Sequence, residues 1–329
     1  MTDLCGKKCL VFSPYGTTVH YGEAIKDELV RRGAIVKGYD ERPSQGTFSK
    51  ILIRLLKKKV PQLFNNYIKS VIDENANVNY DYILICRGEA FNEESIALLR
   101  RAFPNAKIIL YLWDILRCAD LRHIIKLCDK AMSFDPQDVE ENDGLDFRPT
   151  FYMNEFSEVK DVNNPKYDCI FIGTIHSNRH LTIASIEKSF ANQGVKLSSY
   201  LFIPSRVVYM KDFVMKFPYI SLRKINFEPL SLTGSIAMLA DSKAILDINY
   251  TAQKSLSYRA FEAMAARRKY ITTNPEVRTY DFYNPNNIAV IDLANPVLPE
   301  DFLETPFIPV SSEILSKYSV QGLVNDLFS

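Results

Sequence analysis

Four short runs of nearly unbroken apolar residues constrain this chain most. They sit in KCLVFSP (8–14), YDYILICRG (80–88), KIILYLWD (107–114) and YDCIFIGT (167–174). A strand with one solvated face alternates apolar and polar residues. An unbroken run needs cover on both faces, as strands of a parallel sheet have between helix layers. Between the runs lie helical patterns such as YGEAIKDELVRRG (21–33), closed by Gly33, and NEESIALLRRAFPNA (92–106). AIVKGYD (34–40), KAMSFD (130–135) and RPTFYM (148–153) read as further strands. This is a βαβ series, which predicts a mainly parallel sheet with helices on both faces.

The stretch EFSEVKDVNNPK (155–166) is polar and has no apolar period, so it reads as a linker. The βαβ pattern then restarts. YDCIFIGT leads into the helix HLTIASIEKSFANQG (180–194) and the strand KLSSYLFI (196–203). LTGSIAMLADS (232–242) is a helix and KAILDIN (243–249) a strand. SLSYRAFEAMAARRKYITTN (255–274) is a helix running into a strand, and NIAVID (287–292) is one more strand. SSEILSKYSVQGLVNDLF ends the chain in a helical region. With 329 residues, the expectation is two α/β doubly wound domains in tandem. The first spans 1–158 and the second 166–311, with a C-terminal helix at 312–329. Ligands of such sheets bind at the carboxyl ends of the strands, and with two domains the natural site is the cleft between them.

Hydrophobic residues make up 47% and charged residues 24%, the composition of a globular protein. A formal net charge of +1 disfavours nucleic acid as a general partner. Cys5, Cys9, Cys86, Cys118, Cys128 and Cys169 form no C-x-x-C pair, and several lie in apolar strands. They read as buried thiols of a cytoplasmic protein. The start has no secretory pattern, and no apolar run reaches the ~18 residues of a membrane span. No G-x-G-x-x-G and no G-x-x-x-x-G-K-[ST] occurs, which disfavours dinucleotide redox enzymes and P-loop kinases.

The helix in 255–274 carries the chemistry. Ser255 or Ser257 can cap its start, where free N–H groups and the helix dipole attract phosphate. Arg259 in the first turn is unfavourable for the helix alone and better explained with an anion present. Glu262 lies one turn on. Either the two form a surface pair worth ~0.3–0.5 kcal/mol, or a nucleotide diphosphate sits at the helix start and Glu262 accepts from ribose hydroxyls. GTIHSNRH (173–180) is a second candidate. Gly173 and Thr174 allow close backbone approach, Ser177 or Asn178 can cap, and Arg179 is the strongest phosphate contact. The alternative there is an ordinary capped turn.

At the strand ends of the first domain, Asp114, Glu89 and His20 are candidate general bases for an acceptor hydroxyl, in that order. Each also has a structural reading: Asp114 as a helix cap, Glu89 paired with Arg87, His20 at a solvated helix end. Residues 42–72 are basic and amphipathic, with Arg54, Lys57, Lys58 and Lys59 at their centre. The segment is either a solvated helix face or a docking surface for the anionic inner leaflet of a membrane.

SLSYRAFEAMAARRKYITTN resembles the donor-binding helix of GT-B glycosyltransferases. YDERPS (39–44), ILYLWD (109–114), SFDPQD (133–138), FIGTIHSNR (171–179) and ITTN…YDFYNPNNI (271–288) extend the resemblance in order along nearly the whole chain. Together they are similar to bacterial lipopolysaccharide and capsular polysaccharide biosynthesis glycosyltransferases. The resemblance implies two Rossmann-like domains. The acceptor belongs on the first, the nucleotide-diphospho-sugar donor on the second, and a C-terminal helix crosses back. It implies a donor site of Gly173, Thr174, His176, Ser177, Arg179, Lys254, Ser255, Leu256, Ser257, Arg259 and Glu262. It also implies chemistry without a metal or other cofactor, in keeping with the missing D-x-D. The acceptor would be lipid-linked or an oligosaccharide, placing the protein in the cytoplasm or on the inner membrane face. Many retaining members carry a Glu where this chain has Lys254, so the stereochemistry stays open. A nucleotide-sugar 2-epimerase shares the fold, and a non-catalytic nucleotide- or glycan-binding protein is the third reading.

Overall fold

A computed structural model describes residues 2–16, 18–42, 60–175, 179–204, 206, 225–250 and 253–329. The chain divides into two compact units, Met1–Pro149 with Val320–Ser329, and Thr150–Ser319.

In the first unit, β1 (Lys8–Ser13), α1 (Val19–Arg31), β2 (Ile35–Asp40), α2 (Val60–Glu74), β3 (Tyr82–Cys86), α3 (Glu93–Ala102) and β4 (Lys107–Tyr111) follow in turn. The short elements α4 (Arg122–Ile125), β5 (Lys130–Ser133), α5 (Pro136–Glu141) and β6 (Asp146–Phe147) complete the series. The strands pair in parallel in the order β2-β1-β3-β4-β5-β6. Leu10, Phe12, Ile83, Ile85, Ile108 and Leu110 form the sheet's share of the core. Phe64, Ile68 and Val71 of α2 pack into it, as do Ile96 and Leu99 of α3. Phe64, Ile68 and Val71 are thus spent on this core, while Leu63 is exposed. Arg54, Lys57, Lys58 and Lys59 lie outside the described residues.

The strand expected at 148–153 does not form. Pro149 has no N–H to donate to a ladder, and pairing stops at β6 apart from a single bridge between Tyr152 and Ser319. The division between units falls at Pro149, ahead of the polar stretch 155–166 and of the boundary expected at 158. That stretch is tied into the second unit. Phe156 and Val159 are buried. Arg268 donates to Asp161 at 3.0 Å and to the Lys160 carbonyl at 3.1 Å.

The second unit holds α6 (Asn154–Ser157), β7 (Tyr167–Thr174), α7 (Arg179–Asn192), β8 (Leu197–Phe202), β9 (Ile225–Asn226) and α8 (Leu232–Ala240). It continues with β10 (Ser242–Asp247), α9 (Tyr258–Ala265), β11 (Lys269–Thr272), β12 (Ile288–Val290) and α10 (Ser312–Lys317). Its sheet is parallel, in the order β12-β11-β10-β7-β8-β9. Cys169, Phe171, Ile186, Phe190, Leu246 and Ile271 lie in its core.

The last helix, α11 (Val320–Phe328), belongs to the first unit. Leu323, Val324 and Leu327 are fully buried. Arg32, the residue that caps the end of α1, donates to Asn325 Oδ1 and to the Gln321 carbonyl, both at 2.6 Å. Cys9, Cys86 and Cys169 are buried as expected, and burial pushes the Cys9 thiol up to about 12. Cys5 and Cys118 are exposed. Among the described residues, no helix is long and apolar enough to cross a membrane.

Candidate active site

In the second sheet the chain runs outward from β7 to β8 and β9, then returns to the other side of β7 as β10. The order reverses between β7 and β10. A crevice opens at such a reversal, at the carboxyl ends of the two strands. Gly173, Thr174, Arg179, Asp247 and Ser257 gather around it.

Arg179 spans the crevice. Its guanidinium donates to the Ile248 carbonyl just beyond β10 at 2.9 Å, and to the Thr174 carbonyl at the end of β7 at 3.4 Å. Among the described residues no carboxylate pairs with it. Burial lowers its affinity for the proton, offset in part by Asp247. Gly173 leaves room for the Phe171 ring beside it. A Cβ at that glycine would lie 2.8 Å from the Phe171 ring and 3.8 Å from Arg179 Nη1. His180, next in α7, is buried. His176 and Ser177 lie outside the described residues.

Ser257, not Ser255, caps α9. Its Oγ accepts from the Arg259 N–H at 3.2 Å and donates to Asp247 Oδ2 at 2.7 Å. The buried Tyr270 hydroxyl donates to the same oxygen at 2.7 Å. Burial, and then the charge of Asp247, raise the Tyr270 phenol well above its ordinary value. Asp247 was not among the residues expected here, although it is the one charge inside AILDIN. Ser255 and Leu256 are buried behind the cap, and the Asn274 amide donates to the Lys254 and Ser255 carbonyls. The Lys254 side chain is exposed.

Arg259 and Glu262 meet at 2.6 Å. This is no surface pair, because the Glu262 side chain is 1% exposed and that of Arg259 is 24% exposed. Screening is weak there, and the pair holds a cation at the first turn of α9.

The first sheet reverses its order between β1 and β3. Arg87 follows β3 with φ of 73°, and Gly88 follows with φ of 79°. A left-handed backbone is unfavourable for a residue with a Cβ and marks functional positions. Arg87 Nε lies 2.8 Å from Asp114 Oδ2, and Nη2 lies 2.6 Å from Glu89 Oε2. The structure thus brings Asp114 and Glu89 to one guanidinium. Asp114 begins no helix; Glu89 is indeed paired with Arg87. His20 lies in the first turn of α1 with its ring tilted against that of Tyr21, whose ring meets Trp113 edge-on. Glu41 and Arg42, just past β2, join the same cluster and were not foreseen.

No protein-family model and no curated protein sequence matches the chain. Solved structures share its architecture. The N-terminal domain of trehalose-6-phosphate phosphatase from Candida albicans superposes with a TM-score of 0.58 at 11% identity, covering 99% of this chain and 97% of that one. The lipopolysaccharide outer core galactosyltransferase WaaB gives 0.54 at 9% identity, over 98% of each chain. UDP-GlcNAc 2-epimerase from Methanocaldococcus jannaschii gives 0.54 at 10%, over 97% of this chain and 99% of that one. The fold is GT-B. These three structures are named for three activities. At such identities the likeness carries the fold, and the chemistry has to be argued from the residues.

Proposed function

We propose that this GT-B chain is a glycosyltransferase that moves a sugar from a nucleotide-diphospho-sugar to a lipopolysaccharide or capsule acceptor, lipid-linked or oligosaccharide. The observation that carries the reading is Arg179, a cation without a carboxylate partner among the described residues, laid across the β7/β10 crevice beside the start of α9. A diphosphate there meets a guanidinium and the N-terminal dipole of α9. Both strengthen their hold as charge develops on the leaving group. These groups stand in for a metal ion, so the transfer is metal-independent. The diphosphate also draws Arg259 toward itself. Glu262 then exchanges its arginine partner for the ribose hydroxyls.

At the first sheet, Asp114 accepts the proton of the acceptor hydroxyl, with Glu89 and His20 nearby in supporting roles. Arg54, Lys57, Lys58 and Lys59 hold the enzyme to an anionic cytoplasmic membrane surface, at ~1 kcal/mol for each residue near it.

Release of free nucleoside diphosphate from UDP-, GDP-, dTDP- and ADP-linked sugars tests the reading. One donor class is expected to turn over, and Asp114→Asn to slow it about 100-fold or more. The epimerase fold match favours a second reading. It predicts a changed sugar on an intact nucleotide, with no nucleotide released.

A further inference from the structure

Glu41 is the buried corner of a ring of ion pairs. Arg87 pairs with Glu89 at 2.6 Å, and Glu89 pairs with Arg42. Arg42 Nε lies 3.6 Å from Glu41 Oε1, and that oxygen lies 3.7 Å from Arg87 Nη1. Asp114 is attached to the ring through Arg87 Nε. Glu41 has the two loosest contacts. Its side chain is 0% exposed, and Oε1 accepts no hydrogen bond. Oε2 accepts the Gly88 N–H at 3.2 Å. A carboxylate so placed is one short displacement from the guanidinium that holds Asp114.

We propose that Glu41 is a positioning residue for Asp114. Carrying its proton, Glu41 leaves Arg87 to Asp114 and Glu89. Having lost it, Glu41 draws the guanidinium inward and leaves Asp114 free to accept a proton. The inference rests on the reading of Asp114 as the base. Burial pushes the Glu41 carboxyl up to about 7 against the pull of Arg87 and Arg42, and Glu89 and Asp40 push the same way. Among the described residues, the charged and titratable groups around it are these. Asp40 and Arg42 stand at the β2 end, and Cys86, Arg87 and Glu89 at the β3 end. Asp114 follows β4, Lys26 reaches in from α1 at Gly38, and Tyr67 of α2 bonds to the Asp40 carbonyl.

Trp113, the single tryptophan, adjoins Asp114 and reports on the ring without any substrate. Its emission is expected to titrate with a midpoint near the value of about 7 assigned to Glu41. Glu41→Gln, which mimics the protonated acid, should abolish that titration. Arg42→Gln removes a cation that favours the charged form, so the midpoint should move to higher pH. His20→Gln controls for the histidine beside Tyr21 and should leave the titration in place. No titration in the wild type, an unchanged one in Glu41→Gln, or a midpoint unmoved in Arg42→Gln would each overturn the proposal. Donor turnover supplies the second readout. Its rate should rise through the same midpoint in the wild type. In Glu41→Gln it should lose that rise and fall about tenfold above it, part of the ~100-fold that a lost base costs. Full turnover in Asp114→Asn would contradict the base assignment itself, whatever the fluorescence shows.

Discussion

Burial at Glu41 has a consequence for stability. Its folded value of about 7 lies above the ordinary 4.5, so the folded chain holds a proton that the unfolded chain releases. Stability contributed by this group is fully present below 4.5 and is lost as pH rises through about 7. Glu41→Gln removes the titration. Above pH 7 the variant should be more stable than the wild type by on the order of 2–3 kcal/mol, and the gain should shrink on acidification. Urea midpoints measured at several pH values check this. At the proposed donor site, Ser257→Ala deletes the cap of α9 and strands a bond to Asp247. A cost of about 1–2 kcal/mol with an unchanged urea slope is expected. Residues of this kind differ in how readable they are. Asp114, Glu89 and Arg179 could be picked out because they are polar and follow apolar strands. Glu41 follows a strand too, but only burial distinguishes it from its neighbours Asp40 and Arg42, and burial depends on which strands flank β2.

At the scale of elements, α11 shows how tertiary context decides the role of a helix. Its apolar side fills a place in the first unit, and Arg32 ties its backbone and Asn325 to α1. Leu323→Ala should cost 2–5 kcal/mol, the range for a large-to-small change at a fully buried site, and should lower Tm in a thermal melt. A surface change such as Glu313→Gln on α10, whose side chains include none that are buried, should leave Tm within a degree or so. The long strands were legible because both of their faces are covered. The two-residue strands β6 and β9 were not, since a pair of residues has no period. RPTFYM reads as a strand by its aromatic and β-branched content, yet Pro149 denies the ladder a donor. In 60–72 the amphipathic pattern was clear, but a pattern does not say whether the apolar side meets a core or a lipid, and Phe64, Ile68 and Val71 meet a core.

For the whole molecule, alternation of strands and helices along the sequence is enough to predict parallel sheets in two units. It does not give the strand order, because a crossover can return on either side of the first strand. That order matters most for function. It places the reversal of the second sheet at β7 and β10, and so brings Arg179 at the start of α7 to Ile248 just past β10. The two residues are 69 apart in sequence, too far for a local pattern to show the contact. The central claim is that this crevice holds a nucleotide diphosphate. The most direct measurement is a thermal-shift series with UDP, GDP, dTDP and ADP on the wild type, Arg179→Gln and Glu262→Ala. A ligand at 100 times its Kd stabilises the folded state by about 2.7 kcal/mol. The account predicts that one nucleotide raises the wild-type Tm by several degrees, and that Arg179→Gln abolishes the shift and Glu262→Ala reduces it. No shift with any nucleotide, or a full shift in Arg179→Gln, would contradict it.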